Sequence, residues 1–315
     1  TRMAMLHSPL RLALAGVSHD HVSILQLLSP NDFRIVGVFD RDPLVLETFC
    51  NGAAVPEAGR FTDLDAMLRT TRPDAVAAFG SIVDHLSVVE ACAPLGIHVM
   101  VEKPLAINGE HADRISDLAT TRGIHVLTNY ETSWYASVAR LFAEIDSGEF
   151  GVARKVLVRD GHGGPIETGC QPQFLRWLLD PALSGGGALT DFGCYGVNLL
   201  TRLMKGRLPE RVTAVARTFK PTLYQVDDDA LIVLDYADLH GVVQASWNWP
   251  FSRKDLEIHC TGGYLAAPDA NSLILSRLSY QDLRQTAAPA LPAEMAEPFA
   301  YFRAVISGEH QPAPH

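Results

Sequence analysis

The strongest constraint on the fold is a rhythm in residues 11 to 128, where short apolar runs alternate with stretches of helical pattern. Arg11–Ala15, Ile35–Phe39, Ala75–Phe79, Ile97–Val101 and Ile124–Thr128 have the length and apolar character of buried strands. Between them, Val22–Leu28, Pro43–Cys50, Asp63–Arg69, His85–Ala93 and Gly109–Arg122 pattern as helices, the last capped by Asn108. Strands that alternate with helices in this way predict a doubly wound parallel sheet. Its ligand belongs beyond the carboxyl ends of the strands, where the strand order reverses.

After Asn129 the rhythm changes. A helix is expected over Ser133–Ile145, and a long helix is expected to open at Gly185-Gly186-Gly187. Four strands then follow, at Val212–Phe219, Ala230–Tyr236, Val242–Trp249 and Asp255–Thr261. Connections as short as Ala237-Asp238-Leu239-His240 suit antiparallel hairpins. The expected architecture is therefore an α/β domain over 1–129 followed by an α+β domain over 130–315 with an open, mainly antiparallel sheet. Two domains also suit 315 residues at about 150 residues per domain. Within Val242–Trp249, the residues Val243, Ala245, Trp247 and Trp249 share one face, and the two tryptophans are expected at a subunit interface.

Composition removes several classes of function. Lys and Arg number 26 against 36 Asp and Glu, for a net charge of −10, the wrong sign for a nucleic-acid partner. No apolar run reaches the roughly 18 residues of a membrane helix. The five cysteines show no C-x-x-C spacing, so neither a disulfide framework nor a zinc knuckle is expected. Thr1–Pro9 lacks the apolar centre of a signal peptide. Together these features predict a cytoplasmic protein that acts on a small molecule.

The first strand ends in Gly16-Val17-Ser18-His19-Asp20-His21. A dinucleotide fingerprint places glycines there so that the backbone can approach the pyrophosphate at a helix N-terminus. Only Gly16 is present; Ser18 and His21 hold the other two positions, and Asp20 is the expected helix cap. Asp40 is the better signal. It ends the second strand 24 residues after Gly16, where a carboxylate accepts hydrogen bonds from the adenosine ribose and repels a 2′-phosphate. NAD is the expected cofactor, although Arg41 next to it leaves NADP open. The sharpest local feature is Glu102-Lys103-Pro104 at the end of a strand, where a lysine can polarise a reacting oxygen.

The segment Gly96-Ile97-His98-Val99-Met100-Val101-Glu102-Lys103-Pro104-Leu105-Ala106 resembles a signature of the Gfo/Idh/MocA oxidoreductases. Gly185-Gly186-Gly187-Ala188-Leu189-Thr190-Asp191-Phe192-Gly193-Cys194-Tyr195 resembles that family's second signature. The resemblance implies a Rossmann domain and hydride transfer between NAD(P) and a secondary alcohol or ketone. It also implies a sugar, sugar derivative or cyclic polyol as substrate. Lys103 matches the family's catalytic lysine and Asp191 its active-site aspartate. Tyr195 takes the place where many members have histidine, and Asn198 replaces a frequent aspartate. The resemblance further implies a cis Lys103–Pro104 bond and a homodimer or homotetramer formed through the C-terminal sheet. An NAD-dependent glycosidase using transient oxidation and a non-catalytic binding protein on the same fold are the alternatives.

Asp191 and Tyr195, four residues apart, are expected on one face of a helix, with Lys103 as the cation that favours phenolate at Tyr195. Tyr130, His162 in the loop Asp160–Pro165, and Arg176 are further candidates for substrate contact. His19 and His21 lack a third ligand of suitable spacing, so no metal is expected. Asp227-Asp228-Asp229 reads as an acidic strand entry rather than a cation site.

Overall fold

The computed structural model describes residues 8–277 and 283–312. Two compact units emerge from its contacts. The first gathers the chain up to Asn129 with Gln171–Trp177 and Glu297–Pro312, and the second contains Tyr130–Cys170 and Leu178–Ala296.

The first unit is built on six strands, β1 (Leu10–Val17), β2 (Phe33–Phe39), β3 (Arg60–Phe61), β4 (Ala75–Phe79), β5 (His98–Glu102) and β6 (Val126–Asn129). All pair in parallel, in the order β3-β2-β1-β4-β5-β6. The central β4 is buried at every position, as a sheet covered on both faces requires. Strand alternation sorts β1 by size. Leu12 and Leu14 join Phe33, Phe299 and Phe302 in one core, while Ala13 and Ala15 join Val88, Val89, Ile115 and Leu118 in the other. The order reverses between β1 and β4, which puts the ligand edge at their carboxyl ends. Gly16 stands there at φ +81°, and a Cβ on it would lie 2.7 Å from the Gly80 backbone. No other residue fits this approach of the two strand ends.

One expectation fails in this region. The segment after β1 is a 3-10 helix over Asp20–Leu27, with no fully buried residue to hold an α-helical face. Its cap is His19, whose Nδ1 accepts the His21 N–H at 3.0 Å; it is not Asp20. The Asp20 carboxylate instead accepts the N–H of Gln171 at 3.1 Å.

The second unit contains β7 (Ala153–Gly161), β8 (Arg211–Arg217), β9 (Asp229–Tyr236), β10 (Leu239–Ser246), β11 (Arg253–Cys260), β12 (Gly263–Ala267), β13 (Ser272–Ser276) and β14 (Gln285–Ala287). Their order is β14-β13-β12-β11-β7-β10-β9-β8, antiparallel except for the β7–β10 pair. Helices Ala136–Asp146 and Gly193–Leu203 cover one face through Leu141, Phe142, Leu199 and Leu200, packed on Val156, Ile232, Val243 and Ile258.

The long helix expected after the three glycines is two pieces, Ala188–Asp191 and Gly193–Leu203, jointed at Phe192. The start of the first piece is held from across the fold by Asp227. Its carboxylate accepts the N–H of Gly187 at 2.9 Å and of Leu189, and its carbonyl accepts that of Ala188 at 2.9 Å. A Cβ on Gly187 would lie 1.9 Å from the Asp227 carbonyl oxygen, so this seam tolerates only glycine. Asp228, fully buried, takes the N–H groups of Phe219 and Lys220 and the amide of Asn248. The acidic run is thus a set of backbone acceptors.

For Trp247 the interface expectation is corrected. β10 stops at Ser246, and Trp247 is fully buried against Tyr224 rather than facing a neighbouring subunit. Among the described residues no helix is long and apolar enough to cross a membrane.

Candidate active site

In the first unit, functional groups gather at the carboxyl ends of the strands. Asp40 follows β2, is nearly buried, and accepts the N–H groups of Val17 and Asp42, each at 2.9 Å. Burial pushes its carboxyl above the ordinary value against the pull of those two donors. Each oxygen already holds one hydrogen bond and keeps a second lone pair, the acceptor capacity that a ribose diol needs. Arg41 turns to Asp84, at 2.8 Å. Arg176, expected among substrate contacts, pairs with Asp42 at 3.1 Å in the unit that carries Asp40.

At the end of β5, Glu102 is buried and held on both oxygens. Oε2 meets His21 Nδ1 at 2.9 Å, and Oε1 accepts the Asn129 amide at 2.7 Å. Burial alone would raise its carboxyl, but His21, Asn129 and Lys103 together outweigh that and hold it below the usual range. Lys103 is 5% exposed, and the bond from it to Pro104 is cis. The turn is fastened from behind by His85, which donates from Nδ1 to the Leu105 carbonyl at 3.1 Å.

His19 fills the crowded side of the loop. Its ring lies 4.5 Å from that of Phe174 and 5.3 Å from that of Trp177. Burial, reinforced by the nearby charges of His21, Lys103 and His85, drives its pKa far below the ordinary value, so it is neutral. Glu102 supplies the third residue that the sequence did not offer: the ligand-type atoms of His19, His21 and Glu102 lie within 4.8 Å of one another. Hydrogen bonds already engage them, however. His19 Nδ1 accepts a backbone N–H and His21 Nδ1 faces Glu102, so the trio is braced by hydrogen bonds.

The second unit places Asp191, Tyr195, Tyr130 and His162 together. Tyr195 is fully buried in the first turn of Gly193–Leu203. The ring of Tyr130 meets it edge-on at 5.6 Å, and burial holds the Tyr130 phenol well above its ordinary pKa. Asp191 Oδ2 accepts the Trp247 indole N–H at 2.9 Å. His162 caps its own loop by accepting the Gly164 N–H at 2.9 Å, with its ring edge-on to Phe192 at 4.8 Å.

Two residues here carried no sequence signal, Glu131 and Lys254, and Trp247 gave only the face of a strand. Lys254 Nζ lies 3.5 Å from Tyr195 Oη and 4.5 Å from the centre of its ring, and it also bonds Glu131. The Tyr195–Lys254 contact spans 59 residues of sequence, and only the register of β11 on β7 brings it about.

The surroundings match known proteins at both ends. Residues 10–130 match the model of the oxidoreductase family with an NAD-binding Rossmann fold, and residues 138–266 that of the GFO/IDH/MocA C-terminal domain. Among curated proteins, the trans-1,2-dihydrobenzene-1,2-diol dehydrogenase of Oryctolagus cuniculus is 28% identical over 71% of this chain and 64% of its own length. That of Bos taurus is 26% identical over 71% and 63%. The chain thus spans under two thirds of the curated relatives it matches. Among solved structures, an inositol dehydrogenase homolog complexed with NAD+ from Azotobacter vinelandii superposes with a TM-score of 0.81. It is 21% identical, over 96% of this chain and 85% of that one. An aldose-aldose oxidoreductase from Caulobacter crescentus complexed with glycerol gives 0.78 at 20% identity, over 96% and 91%. With both of its domains matched in order, the chain belongs to the Gfo/Idh/MocA oxidoreductase family.

Proposed function

We propose that the protein is an NAD-dependent oxidoreductase that moves a hydride between nicotinamide and a secondary alcohol or ketone of a sugar, sugar derivative or cyclic polyol. The observation that carries this reading is the buried Tyr195 phenol, set beside a cation in the helix that follows the Gly187–Asp227 seam. A buried phenol with a charged partner is equipped to exchange a hydroxyl proton. The dinucleotide supplies the hydride acceptor or donor.

In this reading Tyr195 gives or takes the proton, Asp191 orients the substrate hydroxyl, and Lys103 polarises the reacting oxygen. Tyr130 and His162 contact the substrate. Gly16, Ser18 and His21 approach the dinucleotide, Glu102 braces that loop, and Asp40 takes the adenosine ribose. Arg41 is committed to Asp84, which favours NAD over NADP. The relatives' names, a dihydrodiol dehydrogenase and an inositol dehydrogenase homolog, support a substrate with adjacent hydroxyls.

Titration with NADH and with NADPH, followed by nicotinamide fluorescence and melting temperature, tests the cofactor. Tight NADH and weak NADPH binding are expected. Failure of both to bind overturns the reading. A polyol and sugar screen with NAD then tests the reaction by NADH formation. Glycoside cleavage without net NADH would place the protein among the transient-oxidation glycosidases instead.

The assembly we propose is a homodimer or homotetramer formed through the second unit's sheet. Val215 and Leu231, paired across β8 and β9, are 48% and 42% exposed on its uncovered face. A monomer by light scattering would refute it.

A further inference from the structure

A phenol of ordinary pKa near 10 is a poor proton acceptor at neutral pH. Tyr195 is also fully buried, which disfavours its charged form further. An oxidising Tyr195 therefore needs a nearby positive charge, and its own unit supplies one.

We propose that Lys254 is a cation, beyond Lys103, that favours the proton-accepting phenolate form of Tyr195, with Glu131 as the counter-charge that limits the effect. This rests on the acid–base reading of Tyr195 given above. Lys254 Nζ stands 3.5 Å from Tyr195 Oη, and its charge lies 4.5 Å from the ring centre. The same ammonium bonds Glu131 Oε2, while Glu131 Oε1 accepts the Tyr135 hydroxyl at 2.7 Å. Exposure rises along the chain of contacts, from none at Tyr195 to 20% at Lys254 and 48% at Glu131. One end is dry and the other wet.

Strand geometry explains why Lys254 points there. Its neighbour Asp255 is in register with Arg159 and bonds it at 2.8 Å on one face of the sheet. Alternation turns Lys254, in register with Asp160, to the face covered by the helices. Among the described residues of the unit, Glu131 bonds Lys254, Tyr130 lies edge-on to Tyr195 with Cys194 nearby, and Tyr135 and Asp160 of β7 line the same small cavity as Lys254. Burial holds both Tyr130 and Tyr135 above their ordinary pKa, so neither competes as a phenolate.

In the oxidising direction the substrate O–H breaks, and its proton goes to Tyr195 Oη. The C–H electron pair leaves as hydride for nicotinamide, and the carbonyl forms. Lys254 lowers the cost of the phenolate that begins this step and takes no proton itself. It acts through Tyr195 as a positioning charge.

The test reads Tyr195 directly, without substrate. The ultraviolet tyrosinate band is titrated against pH, and the Tyr195→Phe trace is subtracted to isolate the Tyr195 component. Circular dichroism at each pH confirms the fold. Lys254→Met is expected to move that component up by about one to three pH units. Lys254→Arg is expected to restore it, and Glu131→Gln to move it down. An unmoved midpoint in folded Lys254→Met overturns the proposal. If Lys254→Met does not fold, Glu131→Gln decides in the same way: a downward move supports the proposal and no move overturns it. Turnover separates the two layers. A Tyr195→Phe protein with full activity would sink the acid–base role, whereas an unmoved titration sinks the Lys254 coupling alone.

Discussion

The two units solve the same problem, a buried ionisable group, by opposite means. In the first unit Glu102 is surrounded by donors that fix its charge: His21, Asn129 and the backbone of Lys103. In the second unit the Tyr195 hydroxyl lies beside the Lys254 ammonium, which Glu131 shares. A group held by many donors is a brace, because no single substitution frees it. A group set beside a shared charge is adjustable through that charge. The comparison supports the proposed division, in which Glu102 is scaffold and Tyr195 exchanges the proton.

The largest expected effect breaks that assignment or upholds it. Tyr195→Phe should lower kcat by about 10²- to 10⁴-fold, the usual worth of a positioned proton donor. Its NADH affinity should remain, since only the second unit is altered. A Glu102→Gln protein should show the reverse pattern, with weaker cofactor binding and a lower melting temperature. Equal loss of kcat in both variants, with NADH affinity intact in both, would erase the distinction.

Next in size is the seam that sets Tyr195 in place. Asp227→Ala removes the acceptors of the Gly187 and Leu189 N–H groups and should cost about 2–3 kcal/mol by chemical denaturation. Asp227→Asn, which keeps one acceptor oxygen, should lose less. If Asp227→Ala unfolds with wild-type stability, the three glycines need another explanation than this contact.

This seam also marks where the sequence stops being readable. Five of the six strands of the first sheet were legible because each is a local apolar run; Ala75–Phe79 and the helix Gly109–Arg122 fall where the pattern placed them, whereas the two-residue β3 is too short to show one. Lys103 and Glu102 were legible because they are adjacent in sequence. The seam that fixes the start of the helical pieces was not, since its acceptor is a carboxylate at Asp227 far along the chain. Trp247 showed the right alternation but the wrong destination: its indole N–H serves Asp191 across 56 residues. Periodicity reports which face a side chain takes and is silent on what waits there. Lys254 gave no signal at all, as its partner is chosen by sheet register alone.

A pH effect sharpens the contrast from the first unit. His19 and His85 are buried, and burial is the main cause that lowers both pKa values. In the unfolded chain they titrate near 6.5, so below that pH the unfolded state binds protons that the folded state refuses. Stability should be full above about pH 6.5 and fall as the pH drops, by up to about 1.4 kcal/mol per unit for each such histidine. Glu102, held below its ordinary value, adds its own loss only at still lower pH. Asp40, raised by burial, works in the opposite sense, losing stability as the pH rises through its carboxylate range. Thermal melts from pH 7.5 to 5.5 read the slope, and His85→Gln should flatten it by one histidine's share. A melting temperature that stays level across that window would show that these rings charge freely.

The smallest effect concerns Arg176. Sequence context, beside Trp177 and ahead of the second signature, suggested a sugar contact, yet the guanidinium pairs with Asp42 in the unit that carries Asp40. The Arg176 side chain is 62% exposed, so solvent screens the pair and it adds little to stability. Asp42 does not depend on it, since the carboxyl is held below its ordinary value first by the N–H groups of Val45 and Leu44. Arg176→Ala should therefore leave the melting temperature nearly unchanged and the substrate KM untouched, while NADH binding changes by less than about tenfold, or 1.4 kcal/mol. A rise in substrate KM with NADH affinity intact would return Arg176 to the substrate. It would also show that proximity in sequence had predicted the function better than the ion pair did.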